Sequence, residues 1–181
     1  MEVNPENGNI ILKEHHLQIE KGMQLKDLQQ TEFYKNYNNG MRDVKTGYFW
    51  YYFDAVDVKG YKLSFDLCFL GDTLDKIFMN TYEESDAKTW DDWSEAKEMK
   101  VFERNNQFLS MILGIRPTKK KKTPYPTCTF NFPWGNAWSV YDPRSATSFM
   151  GIHYDYKSYL FRINFRSLLY SLKILFCSSA I

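Results

Sequence analysis

The chain has 181 residues, of which 44% are hydrophobic and 18% aromatic. This length is typical of one domain, and the aromatic content excludes a disordered chain, which lacks the large apolar side chains that a core needs. The net charge of +1 hides an asymmetry, because residues 1–115 hold 13 basic and 20 acidic residues whereas residues 116–181 hold 10 and 2. An acidic body and a basic end can steer a charged partner, although mixed solvated surfaces are the alternative.

The first 48 residues predict one or two short strands, one helix and a connection. Residues 9–20 fit the strands, and residues 21–36 carry apolar groups at a spacing that indicates a first helix. Residues 37–47 contain Asn-Asn-Gly, which is typical of a turn, so regular structure is expected to stop there.

An aromatic hairpin follows. Residues 48–58 and 61–70 are separated by Lys59-Gly60, and the second segment alternates apolar with polar residues as a half-buried strand does. Gly71-Asp72 predicts another turn, after which residues 73–82 are expected to return as a third antiparallel strand.

Residues 90–113 carry apolar groups at roughly helical spacing and end at Gly114, which predicts a second helix. Acidic residues at its start and cations further along, including Arg104, suit the helix dipole. Residues 116–126 hold three prolines and four lysines and predict an exposed connection. Residues 127–154 resume aromatic alternation and predict two or three more strands.

The last 25 residues combine apolar and basic character. Phe161, Ile163 and Phe165 alternate as in a strand, yet a helical stripe also fits, so we expect an extended lead-in and an amphipathic helix from about Ser167. This segment would dock on the body or on a neighbouring chain, which would give a homodimer, with contact to a membrane surface as the alternative. Its most apolar stretch, residues 160–177, is interrupted by Arg162, Arg166 and Lys173, which argues against a membrane span.

These elements together predict an α+β fold, with a mainly antiparallel sheet of about five to seven strands, two principal helices packed on it and a C-terminal amphipathic segment. Residues 1–156 would form the single domain and residues 157–181 the extension. Cys68, Cys128 and Cys177 show no disulfide or metal-binding spacing, and the first two are expected to fill the core as reduced thiols. No secretory signal is visible at the N-terminus, so the cytoplasm is favoured.

The sequence offers no catalytic, cofactor-binding or metal-binding constellation. Motifs that cradle phosphates or dinucleotides and the GxSxG nucleophile motif are absent. On a strand, His15 and His16 would point to opposite faces and could not easily serve one site. A dyad of His153 with Cys128 or with a serine is the remaining nucleophilic alternative.

Acidic residues and two tryptophans cluster before the second helix. They could cap and solvate the helix start, supply a carboxylate pair for hydrolysis, or grip a basic protein. The run Lys119 to Lys122 could bind phosphates, although a solvated loop explains it as well. The residues that we expect to bind a protein partner are Glu83, Glu84, Asp86, Trp90, Asp91, Asp92 and Trp93.

Five segments stand in a distinctive order: WDDWSE at 90–95, a helix that ends in Leu113-Gly114, FPWGNAW at 132–138, YDPRS at 141–145 and GIHY at 151–154. These segments follow an N-terminal strand, a helix and an aromatic hairpin along the chain. This arrangement resembles small bacterial immunity-type proteins of polymorphic or contact-dependent growth inhibition toxin systems. The resemblance covers residues 9–154, and its motifs are structural in kind. The tail after about Tyr156 departs from such proteins, which would end near the last strand.

The resemblance implies a cytoplasmic antidote that binds one cognate toxin domain, a nuclease or another enzyme acting inside cells, and blocks its active site or substrate surface. It implies no catalysis, no cofactor, no metal and no direct nucleic-acid contact. The acidic segment would meet a basic cleft of the toxin, with Trp90 or Trp93 as the aromatic anchor. The alternatives are a hydrolase with a carboxylate or Cys-His site, and a nucleic-acid or membrane-surface binder that uses the basic C-terminal part.

Overall fold

The computed structural model describes residues 1–155, whose strands form two antiparallel sheets. Three short strands make the small sheet, in chain order: β1 (Glu2–Val3), β2 (Ile10–Leu12) and β3 (Leu17–Ile19). The strands of the large sheet are β4 (Asn38–Asp43), β5 (Tyr48–Val58), β6 (Tyr61–Leu70), β7 (Thr73–Tyr82), β8 (Lys119–Lys121), β9 (Thr127–Phe132), β10 (Gly135–Asp142) and β11 (Thr147–Tyr154).

In space the large sheet has the order β4-β5-β6-β7-β11-β10-β9-β8. The predicted α+β class with a mainly antiparallel sheet is confirmed, but eight strands exceed the five to seven expected. The predicted C-terminal amphipathic segment and the extension at 157–181 lie outside the described residues. Within the described part, the chain leaves the sheet from β11, which is the fifth strand of eight and therefore lies near the middle.

The aromatic meander is confirmed. Strand β6 alternates between buried Leu63, Phe65 and Leu67 and more exposed residues, and it pairs antiparallel with both β5 and β7. Lys59 and Gly60 both have positive φ, at 51° and 83°, which is the backbone that a two-residue hairpin turn requires. This turn sets the register of β5 and β6 next to it, and the register shifts further along, between Phe53 and Val56 and, in the pair of β6 with β7, between Cys68 and Phe69.

Two segments predicted as connections are strands. Strand β4 pairs with β5 despite its Asn-Asn-Gly sequence, because the long β5 offers a complete row of hydrogen-bonding groups, and a register shift between Asn38 and Gly40 accommodates the glycine. Strand β8 consists of three exposed lysines paired with β9. Lysines on an edge strand hinder pairing with another chain, so the predicted exposure of this segment holds while the predicted loop does not.

The first predicted helix is divided in two. Helices α1 (Leu25–Gln30) and α2 (Glu32–Tyr37) meet at Thr31, whose extended backbone ends one helix and begins the next. The Thr31 hydroxyl donates to the Leu28 carbonyl at 2.6 Å and accepts from the Tyr34 amide at 3.1 Å. One side chain therefore satisfies groups at both helix ends.

The second predicted helix, α3, spans Glu95–Leu113. Its predicted end is confirmed, since Gly114 has φ of 66° and closes the helix in the left-handed region. Its predicted start is wrong, because residues 90–92 form a short 3-10 turn and the Ser94 hydroxyl caps the helix by accepting from the Lys97 amide at 3.3 Å. Among residues 1–155, no helix combines the length and the apolar character that a membrane crossing needs.

We expect Ser94→Ala to lower the free energy of unfolding by about 1 kcal/mol, because the N-terminal amides of α3 lose a hydrogen-bond acceptor. Urea denaturation followed by circular dichroism measures the change. Ser110→Ala is the matched control, since the same substitution inside α3 removes no cap and favours helix formation. Equal effects of the two substitutions would show that the Ser94 cap contributes nothing.

The three helices and the small sheet cover one face of the large sheet. Phe33 of α2 packs on Phe53 and Phe65, with ring centroids 5.1 and 6.0 Å apart, and Phe108 of α3 packs on Tyr61 at 5.2 Å. Helix α3 also contacts β7, β10, β11 and β1. The core therefore lies between this face and the helices.

The opposite face of the large sheet, called the open face below, carries half-buried aromatic rings. Trp50, Phe78, Trp138 and Phe149 form one cluster, with centroid separations of 5.1 to 5.7 Å around Phe78. Gly151 makes room for it, because a Cβ there would lie 2.8 Å from the Trp138 ring. Among residues 1–155, the ring contacts of these four residues are with one another and involve no ring of a helix or of the small sheet.

Candidate functional site

The predicted acidic segment lies at one end of the large sheet. Strand β7 ends at Tyr82 beside the start of β11, as the pairing of Met79 with Met150 requires, so the loop after β7 and the turn before β11 share this end. The Trp93 indole N–H donates to the Ala146 carbonyl at 3.0 Å and joins the two. We call residues 83–95 together with the turn 142–146 the acidic end.

A buried arginine of α3 forms ion pairs with two acidic residues of the acidic end. Arg104 of α3, whose side chain is 8% exposed, pairs with Asp86 through both of its terminal nitrogens, one at 3.0 Å, and lies 3.3 Å from Glu83. Its remaining donors reach the Thr81 hydroxyl at 3.0 Å and the Thr81 carbonyl at 2.9 Å. The guanidinium therefore links α3 to β7 and to the acidic loop through hydrogen bonds and ion pairs, contacts that the sequence analysis did not predict.

The arginine is part of a wider polar network. Asn105 accepts from the Thr81 hydroxyl at 2.7 Å and donates to the Asn80 side chain at 2.9 Å. At the start of α3, the Glu98 carboxylate accepts from the Ser148 amide at 2.9 Å. Buried polar groups are costly unless paired, so these carboxylates and amides serve the fold at this end of the sheet.

Two further carboxylates are held by neighbours in sequence. Asp92 forms an ion pair with Lys97, and the hydrogen bond from Lys97 holds the pKa of Asp92 below its ordinary value. Asp142 accepts from the Arg144 side chain at 2.9 Å, and this contact lowers the pKa of Asp142 in the same way. Arg144 also lies over the Tyr125 ring at 5.0 Å, so it braces the turn.

What remains exposed is a tryptophan surrounded by unpaired acids. Trp90 is 74% exposed, with its ring 6.1 Å from that of Trp93. Glu84, Asp91 and Glu95 are exposed, and no cation among residues 1–155 forms an ion pair with them. This surface can offer a large apolar ring and negative charge to a basic partner.

The structure thus divides the predicted partner-binding residues into two groups. Trp90, Asp91 and Glu84 face solvent and are free to bind, whereas Asp86 is committed to Arg104 and Asp92 to Lys97. Glu83 shares the Arg104 contact but stays exposed, and Trp93 is half-buried against the 142–146 turn. Glu95, which is not among the predicted partner-binding residues, directly follows the Ser94 cap and is exposed on the same surface.

The dyad of His153 with Cys128 is contradicted. Cys128 of β9 lies opposite Ser139 of β10, and Ser139 lies opposite Met150 of β11. All three side chains therefore lie on the buried face of the sheet. His153 lies two strands away and three residues beyond Met150, so its side chain belongs to the other face. Burial also raises the pKa of the Cys128 thiol, which disfavours the thiolate.

The other two histidines do not lie on a strand, and that prediction is wrong. His15 ends a short 3-10 turn and His16 has a left-handed backbone with φ of 48°. The His15 ring packs edge-on against Phe33 and Tyr37 at 6.2 and 5.4 Å. Within residues 1–155, no group of three or more histidines, cysteines or carboxylates is placed to hold a metal ion.

The open groove between α3 and the β8–β9 edge is lined mainly by polar and charged residues. Its lining includes Glu103, Asn106, Arg116, Lys120 and Cys128. It contains one carboxylate, and neither His153 nor the acidic segment reaches it, so it does not supply the carboxylate pair of the hydrolase alternative.

Comparison with known proteins gave one structural similarity. No family model and no curated protein sequence matches the chain. The chain is similar to one in the solved structure of Rhs1-CT in complex with cognate immunity protein RhsI1, with 11% identity, a TM-score of 0.49, and coverage of 91% of this chain and 98% of that chain.

Proposed function

We propose that this chain is an immunity-type protein that binds and neutralises a cognate toxin domain without catalysing a reaction. The toxin is a nuclease or another enzyme acting in the bacterial cytoplasm, where the chain also resides. Binding covers the active site or the substrate surface of the toxin. The order of the sequence motifs and the acidic end support this proposal.

The observation that carries the proposal is the 74% exposure of Trp90 between carboxylates without ion pairs. Tryptophan side chains are mostly buried in folded proteins, so a largely exposed tryptophan is unusual. Tryptophan is also enriched among the residues that contribute most of the binding energy at protein interfaces. Enzymes that act on nucleic acids carry basic clefts, and an acidic surface competes for such a cleft. The motif segment 90–95 lies against the turn 142–146, because the Trp93 indole N–H donates to the Ala146 carbonyl.

The direct test is co-expression with the toxin domain encoded beside this chain in its genome. We expect the pair to form a complex during size-exclusion chromatography, and the chain to restore growth of cells that express the toxin domain. A toxin domain that neither binds the chain nor is neutralised by it would disprove the proposal. An activity assay of the toxin domain in the purified complex separates binding from inhibition, because a toxin domain that stays active in the complex is bound but not neutralised.

The acidic residues should control the rate of association. We expect Glu84→Gln combined with Asp91→Asn to slow association with the toxin domain and to weaken the dependence of that rate on salt, while dissociation changes little. Stopped-flow fluorescence at two salt concentrations measures both rates. Glu6→Gln is the control, because Glu6 is exposed in the segment that packs against Trp134, at the other end of β10 and β11. An equal effect of Glu6→Gln would place the binding surface elsewhere.

A further inference from the structure

The open face has the composition of a covered surface. Trp50, Phe78, Trp138 and Phe149 contact one another there, and Tyr52 extends the row on β5. One face of an antiparallel sheet can be solvated, but then its residues are mainly polar. A contiguous aromatic patch therefore indicates that another segment packs on it.

A carboxylate without a partner lies within this patch. Asp66 of β6 stands in register between Tyr52 of β5 and Phe78 of β7. Burial raises the pKa of its carboxyl group, and no cation among residues 1–155 forms an ion pair with it. The nearby Lys76 is engaged elsewhere, since it pairs with Asp75 at 3.1 Å and lies over the Tyr48 ring at 5.0 Å. A carboxylate walled by aromatic rings suits a guanidinium, which can pair and stack at once.

We infer that residues 156–181 of this chain lie on the open face, with the guanidinium of Arg162 against the carboxylate of Asp66. This segment contains four basic and no acidic residues, and its other residues are largely apolar or aromatic. Its composition therefore complements both the rings and the unpaired acid. The inference does not depend on the proposed function.

The geometry of the sheet places Arg162 within reach. Asp66 pairs with Phe78 and Phe78 with Gly151, so Asp66 lies two strands from β11, or about 10 Å across the sheet. Asp155 lies four residues beyond Gly151, which adds about 13 Å along the strand direction. The separation is thus about 16 Å, and the seven residues from Asp155 to Arg162 can span about 23 Å when extended. The central position of β11 lets the segment reach either half of the face.

The test uses a bimane dye, whose emission tryptophan quenches on contact, on the full-length chain. Ser167→Cys with Cys177→Ser places the dye next to Arg166. Cys68 and Cys128 are buried, and burial raises the pKa of the Cys68 thiol to about 11, so the new cysteine reacts at neutral pH. We expect quenched emission that Trp50→Phe with Trp138→Phe relieves and that Trp90→Phe, at the acidic end, leaves unchanged.

The ion pair has its own test in the same labelled chain. We expect Asp66→Asn and Arg162→Gln each to shift the docking equilibrium about tenfold toward the released segment, since each removes one charge of a partly buried pair. The two changes together should add little to either alone, and Lys157→Gln is the matched control. Quenching that the Trp50 and Trp138 substitutions do not relieve would overturn the inference. Quenching that disappears on dilution would also overturn it, because the segment would then lie on a second copy of the chain.

Discussion

Arg104→Met is expected to lower the free energy of unfolding by about 3–5 kcal/mol, the largest stability change that we predict. The substitution leaves Asp86, whose side chain is 16% exposed, without its cation, and it leaves the Thr81 carbonyl and hydroxyl without their donors. An uncompensated carboxylate in this setting costs more than the lost contact itself. Urea denaturation followed by tryptophan fluorescence measures the change.

The controls separate the charge from the packing. Arg104→Met with Asp86→Leu removes both charges, and we expect it to cost much less than the sum of the two single substitutions. Lys97→Met removes the cation of an ion pair whose acid, Asp92, is largely exposed, so its effect should be small beside that of Arg104→Met. If Arg104→Met costs no more than Lys97→Met, the guanidinium does not hold α3 to β7 in the way that the structure indicates.

The sequence predicts an element well where one signal dominates it. The aromatic alternation of β6 and the Lys59-Gly60 turn define the meander, and Gly114 defines the end of α3. Strand β4 was missed because its pairing comes from the adjacent long β5 and not from its own Asn-Asn-Gly sequence. The division at Thr31 was missed because a threonine within a helical pattern is ordinary until its hydroxyl is seen to cap both helix ends.

The candidate site shows the same limit. The sequence predicted that acids and tryptophans gather before α3, but not which of them would be used by the fold. Asp86 and Arg104 are 18 residues apart, and no helical or strand periodicity links them. Their pairing follows from α3 crossing β7 and was not visible along the chain. Trp90 and Trp93 are similar in sequence context, yet of the two only the Trp93 indole donates a hydrogen bond among residues 1–155, to the part-buried Ala146 carbonyl.

Trp90→Ala is expected to weaken binding to the cognate toxin domain by about 2–4 kcal/mol, which is about 30-fold or more in Kd. A ring that is 74% exposed contributes little to the free protein, so the free energy of unfolding should change by no more than about 0.5 kcal/mol. In the complex the same ring would be desolvated at the centre of the acidic end, and its loss should appear chiefly as faster dissociation. Surface plasmon resonance with the immobilised toxin domain measures both rates.

Leu70→Ala is the matched control, because Leu70 is an exposed apolar residue, at 49%, near the end of β6 that is remote from the acidic end. Weaker binding after Trp90→Ala but not after Leu70→Ala, with both variants fully folded, would identify Trp90 as the anchor. If the Trp90→Ala variant binds the toxin domain normally, the acidic end is not the binding surface, even though the complex forms. The slow association expected of Glu84→Gln with Asp91→Asn distinguishes these acids from the anchor, because exposed charges act on encounter and a buried ring acts on dissociation.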